Sequence, residues 1–464
     1  MRISSDTITR AALVIASGLA LALAFPKSDV SLLAWVAFVP FFYAVEGVPL
    51  KNVFWWGWLQ GLACYVGSLY WVVITLHEFA GVHFVLSLLP MLLLAAVVGV
   101  YTALALWTGE FTARRLRLPI VITMPIAWAG VELVRTYFPI GFPWNLLGET
   151  QYRNLELIQF AEFTGTYGIS ALIIFFNAVV FIVLLRRGSR RLQTVSLSIL
   201  TGVMIAALIF GNWRTHELKT LKPDGSFRVA MVQGNIAQSV KWDPNVMAPT
   251  FKIYADQSTQ GARQNADLIV WPEAAATFLF QPDDRYPANS TDDFNYRNSL
   301  LQLARDIGKP ILFGAPALVV KDDRVVGFAN RAYLVSAKGE VAGWYDKIQL
   351  VPFGEYVPYR AVLGYFVNRI VHGMGDMVPG AQQTLFDLNG AKLSVLICYE
   401  SIFPDLARRS VKEGADVMVN ITNDAWYGTS SAPYQLLAMA AMRSVETKIP
   451  MIRVANTGIS AIIL

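Results

Sequence analysis

Two hydrophobic patterns divide the chain. Up to about residue 211, apolar positions run in long stretches separated by short polar breaks, the pattern of helices long enough to cross a bilayer. Seven spans are read, at about 11–25, 31–46, 53–75, 84–108, 119–137, 167–185 and 193–211. The first two are short enough to form one re-entrant pair. The first is not read as a cleaved signal peptide, because apolar segments follow it almost at once. After Trp213 the apolar residues contract into short β-rich runs alternating with helical stretches. Strands are expected at 227–233, 267–271, 310–318, 330–336, 393–398, 416–421 and 449–455, and helices at 246–263, 296–307, 402–413 and 431–447. Alternating elements of this kind predict a layered α/β domain. Residues 351–390 have weak regular patterning and many aromatic and apolar side chains, and a connection that long in a compact domain is usually functional.

Composition agrees with this division. The 464 residues are 55% hydrophobic and only 15% charged, against about 25% charged in ordinary soluble domains. The expected organisation is a helical membrane bundle over 1–211 and an α/β domain over 212–464, large enough for a core of its own. Residues 1–211 hold 13 Lys and Arg against 9 Asp and Glu; the remainder holds 25 against 24. The second part is nearly neutral, so nucleic-acid binding has no support. The basic excess of the first part reports orientation. With a cytoplasmic N-terminus, the inner segments carry Arg2, Arg10, Lys51, Arg114, Arg115, Arg117, Arg186, Arg187, Arg190 and Arg191, and the outer ones only Lys27, Arg135 and Arg153. This asymmetry predicts an inside N-terminus, and seven crossings then put everything after residue 211 on the outer side.

The outer loop over 138–145 is rich in aromatics and proline. Trp144 in it is read either as an interfacial anchor or as lining a lipid-facing mouth. Glu132 and Arg135 lie three apart on one helical face and are expected to pair with each other or to reach the interface.

Three groups of complementary chemistry sit at predicted strand ends, where layered α/β folds gather reactive residues. Cys398 follows the apolar run 393–397, Glu273 follows Val270-Trp271-Pro272, and Lys347 lies in Tyr345-Asp346-Lys347-Ile348. A thiol needs a base to become a thiolate, and a carboxylate can take its proton. A tetrahedral intermediate needs positive charge at its oxyanion, and an ammonium supplies it. Each residue also has a structural reading: Glu273 as a helix cap, Lys347 as a solvated charge, Cys398 as core packing. The other cysteine, Cys64, falls in the membrane part, so a disulfide within the second domain is excluded. His216 and His372, its two histidines, are not at strand ends, so neither a Cys–His pair nor a metal site is supported.

Trp271-Pro272-Glu273, Asp346-Lys347 with Pro352-Phe353-Gly354-Glu355, and Ile397-Cys398-Tyr399-Glu400 resemble, in order and spacing, the three signature segments of the nitrilase (carbon–nitrogen hydrolase) superfamily. Together with the membrane bundle, the chain resembles the apolipoprotein N-acyltransferase family over almost its whole length. The resemblance implies an αββα-sandwich extracytoplasmic domain with Glu273 as general base, Lys347 at the oxyanion and Cys398 as nucleophile. Glu355, Tyr399 and Glu400 would support them, the Tyr399 N–H as an oxyanion donor. Trp242, Phe353 and Trp144, with the loop around 353–378, would contact acyl chains. The implied reaction is ping-pong, with no cofactor. A phospholipid, typically phosphatidylethanolamine, acylates Cys398, and the α-amine of a diacylglyceryl-cysteine apolipoprotein takes the acyl group, the last step of lipoprotein maturation. The implied location is the bacterial inner membrane, with the second domain on the periplasmic side. The family pattern continues past Leu464 to a final membrane helix, so the chain is expected to be a truncated form. Two rival readings are a membrane-tethered amidase using water and a non-catalytic receptor or transporter with a degenerate hydrolase domain.

Overall fold

The computed structural model describes residues 5–185, 187–222, 225–281, 291–322, 324–359 and 377–464. Packing divides the chain into two compact units. One is Met1–Leu221 with Ser430–Glu446; the other is Lys222–Thr429 with Thr447–Leu464.

The first unit is a helical membrane bundle. Among the described residues five helices are long and apolar enough to cross a bilayer: Asp6–Ala24, Phe84–Leu116, Ile120–Tyr137, Ala161–Leu184 and Arg190–Thr220. A sixth span is the pair Leu50–Ser68 and Trp71–Phe79, bent by 49°. The span expected at 31–46 is a 3₁₀ turn, Ser31–Trp35, followed by the helix Phe38–Val45. The helix Phe38–Val45 alone, at about 1.5 Å per residue, is shorter than a hydrocarbon layer about 30 Å thick, but the segment ends beside the start of the first helix, where the Arg10 side chain donates to the Ala44 carbonyl. Phe38, Phe41 and Phe42 instead turn inward, with Trp128 and Phe181 edge-on to them. Helices Leu50–Ser68 and Phe84–Leu116 approach closely at Gly61, where a Cβ would stand 2.9 Å from the Gly99 Cα, the small-residue contact that membrane helices favour.

Glu132 and Arg135 are both buried, and no ion pair joins them among the described residues. They brace the segment that follows their helix. Glu132 Oε1 accepts the Leu147 N–H at 2.8 Å, and Arg135 donates to the Trp144 and Asn145 carbonyls at 3.2 Å and to the Tyr65 hydroxyl. Backbone groups leaving a helix inside a membrane protein must be satisfied internally, and these two side chains do so.

Helix Ala432–Thr447 packs almost entirely within this first unit, although strands of the second unit flank it in sequence. Its Gln435 accepts the Trp144 indole N–H at 2.8 Å and donates to the Pro26 and Ser68 carbonyls at 3.0 and 2.9 Å. Arg443 donates to Thr166 Oγ1 at 3.0 Å, and Glu446 accepts the Thr166 N–H at 2.8 Å.

The second unit is the expected sandwich. One sheet has the order β1 (Val229–Met231), β2 (Leu268–Val270), β3 (Ile311–Lys321), β4 (Arg324–Val335), β5 (Val341–Asp346). The other has the order β10 (Ala461–Ile463), β9 (Met451–Ala455), β8 (Val417–Thr422), β7 (Ala391–Ile397), β6 (Leu385–Leu388). Strands β1–β3 are parallel, as are β7–β9, and the remaining pairings are antiparallel. The two-residue period of a strand assigns its faces. In β2, Leu268 and Val270 face the opposite sheet, meeting Val395, Ile397, Val419 and Val454. Ile269 and Trp271 face outward into a helix-covered cluster with Tyr254, Leu300 and Phe313.

Candidate active site

Cys398 occupies a sharp strand-to-turn junction. β7 ends at Ile397, Cys398 has φ +52°, and the 3₁₀ turn Cys398–Ile402 begins there. A left-handed conformation is costly for a residue with a Cβ and persists only where its surroundings enforce it. Those surroundings are polar and buried. Asn420 Nδ2 donates to the Leu396 carbonyl at 2.9 Å and to the Cys398 carbonyl at 3.3 Å, where the Ser401 hydroxyl also donates at 3.0 Å. Arg453 in turn donates to Asn420 Oδ1 and forms a fully buried ion pair with Asp424 at 2.8 Å. The Thr422 hydroxyl donates to Asp424 Oδ1 at 2.9 Å.

Glu273 lies three residues beyond β2. Its Oε1 accepts from Asn330 Nδ2 at 2.7 Å, and its Oε2 accepts the Asn423 N–H at 2.9 Å. Lys347 directly follows β5; its N–H donates to the Asn330 carbonyl at 2.9 Å. Its buried Nζ stands 2.8 Å from Glu355 Oε1 and 3.6 Å from Glu273 Oε1. Glu355 is held in turn, its Oε2 accepting the Val351 N–H at 2.8 Å and its Oε1 accepting from Asn330 Nδ2 at 3.2 Å.

Glu400 is fully buried and ties two of these segments together. Its Oε1 accepts from the Tyr345 hydroxyl at 2.8 Å and from the Ile348 and Gln349 N–H groups at 2.7 and 3.0 Å. Its Oε2 accepts the Ile397 N–H at 2.7 Å. One carboxylate therefore fixes the residues just after Lys347 and just before Cys398. Burial raises its acid to about 7, against the pull of the Ile397 and Gln349 N–H groups.

The charges bear on one thiol. Burial pushes Cys398 up to about 12, with Glu273 adding to the shift and Lys347 opposing it. Burial alone would lower the Lys347 ammonium, but Glu355, Glu273 and Cys398 outweigh it and hold it above its ordinary value. At neutral pH the resting site thus holds a protonated thiol and a permanent cation. With only 6% of Cys398 exposed, the thiol needs a neighbour to take its proton.

Glu273, Lys347, Glu355, Cys398, Tyr399 and Glu400 thus belong to one unit. Tyr399 is buried, edge-on to Phe403. Trp242 and Phe353 are 52% and 49% exposed in the same unit. Trp144 belongs to the first unit and is 1% exposed, packed against Trp71 and Phe142 and bonded to Gln435, so it presents no ring to a bilayer edge. Most of the loop over 353–378, and His372, lie outside the described residues.

An apolipoprotein N-acyltransferase from Geobacter metallireducens is 39% identical over 457 residues, covering 97% of this chain and 84% of the relative. The chain belongs to the apolipoprotein N-acyltransferase family. Further apolipoprotein N-acyltransferases, from Allorhizobium ampelinum and Pseudomonas aeruginosa, are each 31% identical, over 98% and 97% of this chain and 85% of their own length. The family models described as apolipoprotein N-acyltransferase N-terminal domain and carbon-nitrogen hydrolase match residues 17–179 and 228–463. Among solved structures, an amidase from Nesterenkonia sp. matches with a TM-score of 0.37 at 22% identity, over 52% of this chain and 84% of that one. As an apolipoprotein N-acyltransferase family member the chain is a membrane enzyme of lipoprotein maturation, with a lipoprotein as substrate.

Several residues that build this site carry no motif. Asn330 is the hub between Glu273, Glu355 and the Lys347 backbone, and its only sequence signal is an amide inside a mostly apolar strand. Asn420 and the Asp424–Arg453 pair behind Cys398 have the same signature, polar side chains in or beside runs that read as core. Lys241 sits beside Trp242 and is buried.

Proposed function

We propose that the chain transfers an acyl group from a phospholipid to the α-amine of a diacylglyceryl-cysteine apolipoprotein through a thioester on Cys398. The observation that carries this reading is the joint action of the Glu273 and Lys347 charges on one buried thiol held at a left-handed junction. Glu273 takes the thiol proton and the sulfur attacks the ester carbonyl. Lys347, with the Tyr399 N–H, receives the negative charge that develops on the carbonyl oxygen. Collapse breaks the C–O bond, Glu273 returns the proton to the departing glycerol oxygen, and lysophospholipid leaves. In the second half-reaction the neutral α-amine attacks the thioester, Glu273 takes a proton from nitrogen, the C–S bond breaks and the thiolate is reprotonated.

Glu355 supports this division of labour. It holds the Lys347 ammonium at 2.8 Å, so Glu273, farther away at 3.6 Å, is less committed to that cation and better able to accept a proton. The exposed rings of Trp242 and Phe353 suit contact with acyl chains. Phosphatidylethanolamine is the proposed donor. The basic residues of the first 211 positions support an inner-membrane enzyme with a cytoplasmic N-terminus and a periplasmic catalytic segment over 212–464. That orientation requires the short segment 31–46 to return the chain across the membrane.

The test is incubation with acyl-labelled phosphatidylethanolamine, first alone and then with a diacylated lipopeptide, followed by intact-mass analysis. One acyl adduct at Cys398, discharged onto the peptide amine, is expected. Free fatty acid with no N-acylated peptide would establish a hydrolase instead. An adduct that persists in Cys398→Ala would move the nucleophile elsewhere.

A further inference from the structure

The turn over 238–242 places its residues against the usual rule. Val240 and Trp242 are exposed, while Lys241 between them is 2% exposed. Among the described residues Lys241 forms no ion pair, and its hydrogen bond runs from Nζ to the Glu273 carbonyl oxygen at 3.0 Å. Burying an ammonium without a carboxylate in contact is costly, so a fold keeps one only where surrounding charge compensates it. The compensating groups are Glu273, on the loop after β2, and Cys398, on the turn after β7, whose negative forms favour its charge. The same two groups, with Glu355, favour the charge of Lys347, after β5, whose Nζ stands 3.6 Å from Glu273 Oε1.

The turn holds Glu273 from two sides. Lys241 binds its main-chain carbonyl, next to Ala274, which has a left-handed φ of +47°. Gln238 accepts from Asn423 Nδ2 at 2.8 Å, and the Asn423 backbone N–H is the donor to Glu273 Oε2.

We propose that Lys241 is a positioning residue for the Glu273–Cys398 pair: its hydrogen bond fixes the Glu273 backbone, and its charge supports the negative charge that passes between carboxylate and thiol. This rests on the reading of Cys398 as nucleophile and Glu273 as base. Burial lowers the Lys241 ammonium to about 8, against the opposing influence of Glu273 and Cys398. Lys347 keeps its charge over the same range, so of these two lysines Lys241 is the one titrated away as the medium turns alkaline. Once Lys241 gives up its proton, the thiolate–ammonium and thiol–amine forms carry equal numbers of protons, and their ratio no longer changes with pH.

The experiment is alkylation of Cys398 by iodoacetamide in the full chain in detergent micelles, followed by intact mass from about pH 6.5 to 9.5. Cys398→Ala supplies the background from Cys64. The wild-type logarithmic rate rises with pH and flattens above about 8. Lys241→Arg follows the wild type at lower pH and keeps rising, because a guanidinium stays protonated. Lys241→Met is about tenfold slower near neutrality, the effect of about one unit in thiol acidity, and also shows no flattening. A wild-type rate that climbs without flattening overturns the proposal, as does a Lys241→Met profile superimposed on the wild type. If Lys241→Met loses its thermal transition, the wild type against Lys241→Arg decides alone. Alkylation needs no acyl donor, so flattening without acyl transfer would leave Lys241 in place and refute the transferase mechanism.

Discussion

Lys347 stands nearer to Glu355 than to Glu273, at 2.8 Å against 3.6 Å. The cation of the site therefore rests on the carboxylate that is not proposed to move a proton. Glu355→Gln removes that partner and lets Lys347 settle on Glu273, which loses basicity. Thioester formation is expected to slow by about 10², with little change in the lipid concentration that half-saturates it. Time-resolved intact mass over a phospholipid titration separates the two quantities.

Glu273→Gln is expected to move two reactions of the same sulfur in opposite directions. The carboxylate raises the Cys398 thiol, after burial itself, so its neutralisation lowers the thiol and speeds alkylation by iodoacetamide at mildly alkaline pH. The proton acceptor for ester attack is lost in the same change, and acylation by phospholipid falls by about 10²–10⁴. A parallel fall in both rates would indicate lost structure rather than a lost base.

At Cys398 the backbone itself can be probed. A φ of +52° strains any residue with a Cβ, so Cys398→Gly is expected to be about 1 kcal/mol more stable than Cys398→Ala. Both are expected to be inactive, and the comparison of their thermal transitions in one detergent isolates the strain stored at the proposed nucleophile.

Glu400 predicts a pH dependence of stability. Burial raises its folded value to about 7, above the roughly 4.3 of an unfolded glutamate. The folded chain thus binds more protons between these values. Its contribution is fully present below the lower value and is lost as pH rises through about 7. Glu400→Gln should remove that decline from the melting temperature against pH. It should also lower stability throughout, because its NH₂ group meets the Ile397 N–H that Oε2 now accepts.

Much of this architecture is legible in the hydrophobic pattern. The helices at 244–263 and 432–447 and the strands around Glu273 and Cys398 follow from short apolar runs bounded by turn residues. Strand β5, which delivers Lys347, is missed because Val341-Ala342-Gly343-Trp344-Tyr345-Asp346 mixes exposed and buried positions and contains glycine. The three residues proposed to react are legible because each follows a strand in a distinctive motif. Asn330, Asn420 and Lys241 are not, because a lone amide or lysine looks the same in sequence whether it meets water or a buried partner. Glu132 and Arg135 show the complementary error: their spacing suggests a mutual pair, but the backbone leaving their helix needs both more.

Helix Ala432–Thr447 makes the hydrolase segment difficult to excise. A fragment begun after residue 221 would carry Gln435, Ala438 and Met442 but leave behind Trp144, Pro26 and Ser68, whose buried groups this helix satisfies. The orphaned amide and the newly wetted apolar face would make such a fragment sticky and detergent-dependent. Deleting the helix instead would cut the chain between β8 and β9, adjacent strands of one sheet. A single cut thus cannot separate the two halves of this chain, because residues between two strands of the second unit pack as part of its membrane bundle.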